Sequence, residues 1–470
     1  MPIATTNPAT GQQLKSYDPM SDEQVDAAIE RADQAFRDLH RTTVAERARW
    51  MNAAADLLDA EVDETARLMT TEMGKTFVAA KAEVTKCAAA ARFYAANAER
   101  MLSDDPADAD AVKAKRAFVR YQPIGPVLAV MPWNFPLWQV MRFAAPALMA
   151  GNTGLLKHAS NVPQTALYLE DVFRRAGFPE GAFTTLLVGS DAVDRILTDP
   201  RVRAATLTGS EAAGRSIAQI AGRELKKTVL ELGGSDPFVV MPSADVERAA
   251  EVATTARCQN NGQSCIAAKR FIVHTDVFDA FAEKFAANMA ALRVGDPMDE
   301  NTDVGPLASE RGRDEIHAQV QDAVDNGATV LCGGELPDGD GWFYPPTVVT
   351  DLTPQMRMWS EEVFGPVAGL YRVSSYEEAI EVANGTSFGL GSNAWTTDPD
   401  EQERFATDLD AGNVFINGMT TSYPQLPFGG VKNSGYGREL SALGMREFCN
   451  TKTVWVGEGA ASAGAGAHAE

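Results

Sequence analysis

From residue 126 onward the chain alternates short apolar runs with longer helical stretches, and this alternation constrains the fold more than any other feature. PVLAVM (126–131), FTTLLV (183–188), AATLT (204–208) and TVLEL (228–232) are separated by segments of helical character containing Gly and Pro. Strands alternating with helices imply parallel βαβ units, so the sequence predicts an α/β fold. Beyond Gly233 the pattern restarts with FVVM, a long helix at about 244–262, FIVH, and later ATVLC and VFIN, which predicts a second α/β domain. A length of 470 residues agrees, since roughly 150 residues per domain gives two or three.

Ahead of this region the sequence predicts helices. Ser21 and Gln24 fit a capping box for a helix at about 21–39, with Val25, Ile29, Ala32 and Phe36 on one face. Ala- and Glu-rich helical sequence continues to about residue 102. AFVRYQ (117–122) and CNTKTVWV (449–456) are strand-like, and a terminal strand must join some sheet. A second subunit and pairing within one chain are the two alternatives.

Charge and cysteine content exclude several classes. The 64 acidic residues against 42 basic give a net charge of −22, opposed to a nucleic-acid footprint or an anionic-membrane surface. Five cysteines, at 87, 258, 265, 332 and 449, are too few for a disulfide framework and suit a reducing cytoplasm. The N-terminus has no basic segment followed by an apolar one, so no secretory signal is expected. Tyr121 to Met141 is uncharged over 21 residues, but four prolines and Asn134 within it argue for a buried strand entering a loop. The last residues, GEGAASAGAGAHAE, are low-complexity and expected to be disordered.

Three residues stand out for chemistry. Cys265 ends a predicted helix, after Asn260, Asn261 and Gly262, which tolerate unusual backbone angles. It reads as a nucleophile or as a buried structural thiol. Glu231 closes an apolar strand before a Gly-Gly turn, where α/β sheets bind ligands. It reads as a general base with raised pKa or as half of a salt bridge. Asn134, among prolines and aromatics, either caps a helix or donates to an oxyanion. Cys258 has a plainer context and reads as structural. No C-x-x-C or H-E-x-x-H occurs, so no metal site is expected. LTGSEAAG (207–214) is a Gly-bounded loop opening a helix that could accept a phosphate, without being G-x-G-x-x-G.

PWNFP, LKHAS, LTGS, ELGG, NNGQSC, EEVFGPV and PFGGVKNSGYGRE occur in this order, and together they resemble the aldehyde dehydrogenase superfamily over about residues 7 to 456. Within it, MPWNFPLWQVMRFAAPALMAGN, LLKHASNVPQ and NNGQSCIAAKRF most resemble bacterial NADP-type succinate-semialdehyde dehydrogenases. The resemblance implies a Rossmann-like dinucleotide-binding domain (1–104 and 124–233) and a catalytic domain (234–435). A β oligomerisation extension (105–123 and 436–456) and a tail (457–470) would complete a homodimer or homotetramer. It makes Cys265 the nucleophile, Asn134 and the Cys265 N–H the oxyanion donors, and Glu231 the base that hydrolyses a thioester. CoA-acylating relatives typically lack that glutamate. It assigns Trp133, Asn134, Lys157, His158, Ala159, Ser160, Gly209, Ser210, Leu232, Glu362 and Phe364 to the cofactor.

Many NAD-using relatives have Glu three residues after the lysine. Here the residue is Ser160, which removes the repulsion of a 2′-phosphate, so NADP is expected, with NAD possible. Arg142, lone in an apolar run, must meet an anion, either a structural carboxylate or the far end of a substrate. The resemblance points to the distal carboxylate of succinate semialdehyde, with help from Ser422. A second arginine found in some relatives six residues before the nucleophile is Gln259 here. The alternative is a broad-specificity NAD(P)-dependent aldehyde dehydrogenase.

Overall fold

The computed structural model describes residues 3–457; the low-complexity tail expected at 457–470 lies outside these residues but for Gly457. Two parallel sheets form the body. The first runs, edge to edge, Gly435–Tyr436, Lys227–Glu231, Ala204–Thr208, Pro126–Met131, Thr153–His158 and Phe183–Thr185. All its neighbours are parallel except the two-residue Gly435–Tyr436 strand. Counting the five parallel strands in chain order, the sheet reads 5-4-1-2-3, the doubly wound order whose direction reverses beside strand 1. The second sheet has seven strands: Thr329–Cys332, Thr347–Thr350, Val367–Val373, Ala268–His274, Asp236–Val240, Gly391–Trp395 and Asn413–Ile416, with only the first pair antiparallel.

Helix ends follow local chemistry. Ser21 caps Asp22–Leu39 reciprocally, its hydroxyl accepting from the Gln24 N–H at 3.3 Å while the Gln24 carbonyl accepts from the Ser21 N–H at 2.8 Å. Thr43 and Glu46 repeat the motif for Val44–Ala60. The helix Trp138–Ala150 is buried along its whole length and packs against Phe77–Met101. Such a helix has no polar face, so its amino end needs an acceptor from elsewhere; Glu83 provides it, its Oε1 accepting from the Leu137 and Trp138 N–H groups at 2.9 and 2.8 Å.

One expectation needs correction, and one feature was not anticipated. The helix expected at 244–262 ends at Cys258, because Asn260 and Asn261 take left-handed angles (φ 53° and 57°). The hairpin Ile3–Asn7 with Gln12–Tyr17 had no reading as strands; its second strand is mostly exposed and shows no apolar alternation. Tyr436 pairs with Leu230 in the first sheet and Gly435 with Glu231. Only at Cys449–Val456 does the chain join Arg116–Pro123 and Asp105–Pro106 in a three-stranded antiparallel sheet. The terminal strand thus finds one partner within its own chain. Tyr121–Met141 is the end of one strand, a second strand and a loop entering a helix, and no helix among the described residues is long and apolar enough to cross a membrane.

Candidate active site

In a doubly wound sheet, ligands bind at the carboxyl ends of the strands where the order reverses. Here that point lies between Pro126–Met131 and Ala204–Thr208, and a cleft of about 250 Å³ opens there. Pro132, Trp133 and Asn134 line it from one strand end, Thr208, Gly209 and Ser210 from the other. Leu232, Gly233, Glu362, Phe364 and Cys265 complete the wall. Trp133 and Phe364 meet edge to face, centroids 5.8 Å apart. A larger cavity of about 1150 Å³ is lined by Pro123, Ile124, Arg203, Lys226 and Lys227, residues that precede the same strands, and so lies at their amino ends.

Cys265 reaches the cleft because the chain turns sharply after Cys258. Asn260, Asn261 and Gly262 are all left-handed, a run that L side chains adopt only when held. The Asn261 amide donates to the Gly74 and Pro306 carbonyls at 2.8 and 3.0 Å, and its oxygen accepts from the Gly305 N–H at 2.9 Å. A Cβ on Gly262 (φ 73°) would overlap the Gly365 carbonyl, so glycine is required there. Behind the sulfur, buried Lys269 donates to the Ser264 and Cys265 carbonyls at 3.0 and 2.7 Å and lies 3.3 Å from Glu362. Packing around Cys265 pushes its thiol up to about 12, with Arg142 and Lys269 acting the other way. The resting sulfur is therefore protonated and needs a base.

The oxyanion donors expected beside that sulfur are present. The Cys265 N–H makes no hydrogen bond among the described residues. Asn134 is 4% exposed; one amide hydrogen goes to the Gln263 carbonyl at 3.1 Å, leaving the other free. Its own carbonyl accepts from Asn260 Nδ2 at 2.7 Å. Asn134 thus does not cap the following helix, whose N–H groups are taken by Glu83.

Glu231 is buried directly before Leu232 and Gly233, which line the cleft. It is 1% exposed, and neither carboxylate oxygen has a hydrogen-bond partner among the described residues. Burial first, then Glu439, raise its pKa to about 8, against Arg142 and Arg438. Glu439 is itself held above the ordinary carboxylate range by burial, which Arg142 opposes. Arg142, 2% exposed, forms an ion pair with Glu439, lies over the Phe428 ring at 4.6 Å and is 3.5 Å from Thr208 Oγ1. Of the two anions open to Arg142 from sequence, the structure supplies the structural carboxylate.

The remaining expected residues divide. Lys157 has no carboxylate within ion-pair distance among the described residues, and burial lowers its pKa. Gly209 and Ser210 open the helix Glu211–Arg223, whose first turn Ser210 caps. The Ala159 N–H donates to His158 Nδ1 at 2.9 Å, which leaves Nε2–H to donate to the Pro136 carbonyl at 2.8 Å. Burial lowers His158 to about 4, so a neutral ring braces the Asn134 loop instead of facing the cleft. Ala159 packs on Met73, Val162 and Ala308, and the Ser160 carbonyl accepts from the Ala4 N–H at 3.0 Å. Ser422, 3% exposed, accepts from Trp138 Nε1 at 3.0 Å and from Lys86 Nζ at 2.9 Å. Cys258 is buried against Met289. Sequence reasoning missed Pro132, Thr208, Gly233, Glu439, Lys269, Glu83 and Lys86. Pro132, Thr208, Gly233, Lys269 and Glu439 stand inside quoted motifs, whereas Lys86 and Glu83 carry no local signal.

Residues 1–454 match the model of the aldehyde dehydrogenase family. The chain is 67% identical over 472 aligned positions to the NADP(+) succinate-semialdehyde dehydrogenase of Mycolicibacterium paratuberculosis, covering all of both chains. It is 66% identical to succinate-semialdehyde dehydrogenase [NADP(+)] 1 of Mycobacterium tuberculosis, over 97% of this chain and all of the relative. Among solved structures, the succinic semialdehyde dehydrogenase of Streptococcus pyogenes in complex with NADP+ superposes with a TM-score of 0.94 at 39% identity, covering 97% of this chain and 100% of that one. An NADP-dependent enzyme of E. coli superposes with a TM-score of 0.94 at 37% identity, over 97% and 95%. The chain belongs to the aldehyde dehydrogenase family.

Proposed function

We propose that this enzyme oxidises succinate semialdehyde to succinate with NADP as the oxidant. The observation that carries the reading is the meeting of Cys265 with two free donors, its own N–H and the Asn134 amide, at the switch point of a dinucleotide-type sheet. The named activities of the mycobacterial relatives and of the S. pyogenes enzyme support the choice of substrate and cofactor.

The residues present fit a phosphorylated dinucleotide. The cleft is open at Gly209, where an added Cβ would find its nearest atom 3.7 Å away, and a 13-residue helix presents its amino end beside it. Lys157 has no carboxylate partner among the described residues, and Ser160 sets no negative charge against a 2′-phosphate. NADP, when bound, supplies the two-electron oxidant for the aldehyde carbon. The chain supplies the rest. Cys265 Sγ, having released its proton to solvent, bonds to the carbonyl carbon. The negative oxygen is met by Asn134 and the Cys265 N–H. Once the carbon is oxidised, the substrate is held as a thioester. Glu231, whose raised proton affinity suits it as a base, then takes a proton from water, whose oxygen adds to the carbonyl; the C–S bond breaks and the leaving sulfur takes that proton from Glu231, giving free thiol and acid.

Glu231→Gln tests the assignment. It should leave a first-turnover burst of NADPH near one equivalent per site while slowing steady turnover by about 10²–10⁴-fold; equal slowing of both phases would refute hydrolysis by this residue. The second reading, a broad-specificity aldehyde dehydrogenase, is favoured by the pairing of Arg142 with Glu439. The ratio of kcat/KM for succinate semialdehyde to that for butanal separates the two.

We also infer a homodimer or homotetramer. Cys449–Val456 pairs along one edge only, and Asn413–Ile416 ends the seven-stranded sheet, so two unpaired strand edges invite a second copy. Five unpaired thiols suit the reducing cytoplasm.

A further inference from the structure

The strand that carries the chain away from Cys265, Ala268–His274, is irregular at its start. Between Ala268 and Arg270 it advances two residues while its parallel neighbour advances one, from Asp236 to Pro237. Lys269 is thus the extra residue of a bulge, and the pairing gives way at Pro237, which has no N–H for the ladder. Bulges are rare between parallel strands and recur beside active sites, where they re-aim one side chain. The side chain re-aimed here is a lysine that is 2% exposed.

Its ammonium has three N–H groups and meets three acceptors. The Ser264 and Cys265 carbonyls accept at 3.0 and 2.7 Å, and Glu362 Oε1 lies at 3.3 Å. All of this packs on the Gly233–Gly234 turn: a Cβ on Gly234 would stand 2.6 Å from the Cys265 carbonyl oxygen, and one on Gly233 2.5 Å from Glu362 Oε2. With every N–H committed, Lys269 holds its neighbours in place and has no proton to pass.

What it holds has a direction. The Ser264 C=O and the Cys265 N–H belong to one peptide, and no peptide among the described residues is cis, so the two point opposite ways. Lys269 on the carbonyl side therefore turns the Cys265 N–H, the free oxyanion donor, away from itself. Glu362 is fixed in the same manner. Its Oε1 is taken by Lys269 and by the Gly234 N–H at 3.2 Å, which leaves Oε2 as the acceptor that this cleft-lining residue can offer a ligand.

We propose that Lys269 is a positioning residue, whose one buried ammonium both aims the oxyanion donor of Cys265 and sets Glu362 toward the cofactor. This rests on the reading of Cys265 as nucleophile and NADP as oxidant. Charge couples the two tasks. Asp236 from the adjacent strand and Glu362 face the ammonium as anions, and Arg257 from the helix Val246–Cys258 faces it as a cation. Around the thiol, Arg142 and Lys269 favour the thiolate, while Glu362 and Asp236 oppose it.

The test uses the full-length enzyme and its Lys269→Met, Lys269→Gln and Glu362→Gln variants. Two quantities are read without turnover: alkylation of Cys265 by iodoacetamide at about pH 8, where rate follows the thiolate fraction, and NADP affinity from tryptophan fluorescence. Each Lys269 variant should alkylate about tenfold more slowly and bind NADP about tenfold more weakly. Glu362→Gln should also weaken NADP but alkylate faster, and that opposition of sign is the signature of a shared ammonium. Lys269→Gln keeps an N–H donor and serves where Lys269→Met does not fold. Lys269→Met should slow the first turnover at saturating NADP by more than it slows alkylation, because the oxyanion donor is no longer aimed; equal slowing would overturn the aiming. A merely structural lysine would lower the number of reactive thiols per chain and leave their rate and the NADP affinity unchanged. Alkylation or NADP affinity within about twofold of the wild type in the folded Lys269 variants, or slower alkylation in Glu362→Gln as well, overturns the proposal while the reading of Cys265 stands. If alkylation of Cys265 leaves wild-type turnover intact, the nucleophile reading falls and this inference with it.

Discussion

Glu231, proposed above as the hydrolytic base, sits where burial costs stability. Its carboxyl is enclosed without a hydrogen-bond partner, next to Glu439, and holds its proton far more tightly than in an unfolded chain. Between the unfolded pKa and the folded value the native state binds more protons, so this group makes stability fall as pH rises through that window. Glu231→Gln removes the liability. Its Tm should exceed that of the wild type, by more at about pH 8 than at about pH 5, as differential scanning calorimetry can measure. An equal offset at both values would mean that Glu231 is ionised in the native state at both. The sequence showed this carboxylate at a strand end, but not its neighbour: Glu439 follows by more than 200 positions and meets it only through the fold.

At the level of elements, the site depends on turns and caps contributed from a distance. Gly262→Ala would add a Cβ at φ 73° on top of the Gly365 carbonyl, so we expect a loss of roughly 2–4 kcal/mol in urea unfolding together with loss of thiol reactivity at Cys265. Glu83 caps the helix that follows Asn134 and also pairs with buried Lys75. Glu83→Gln leaves that ammonium without its counter-charge, for an expected cost of about 3–5 kcal/mol. Stability within 1 kcal/mol of the wild type would show Lys75 deprotonated already. The contrast between these two residues shows why reading the chain succeeded in one place and failed in another. Gly262 sits in a local context of Asn and Gly whose backbone meaning is legible. Glu83 sits mid-helix with ordinary spacing, and its task lies 54 residues away. The βαβ alternation was legible for the same reason as Gly262, because each strand declares itself over a few adjacent positions. The hairpin of Ile3–Asn7 and the mostly exposed Gln12–Tyr17 carried no such pattern.

For the whole molecule, the unpaired edges of the three-stranded and seven-stranded sheets predict assembly. Trp455, 55% exposed on the outer strand, should matter to it: sedimentation should find a dimer or tetramer for the wild type and a smaller species for Trp455→Asp. A monomeric wild type would refute the inference. Within one chain, the two halves of the site come from different sheets. Asn134 follows a strand of the first, Cys265 precedes a strand of the second, and the bonds from Asn134 to Gln263 and from Asn260 to Asn134 bridge them. Each lobe can keep its own core while those few bridges yield. Heating should therefore silence the enzyme several degrees before either lobe melts, and the gap between the two temperatures would report how firmly the lobes grip each other.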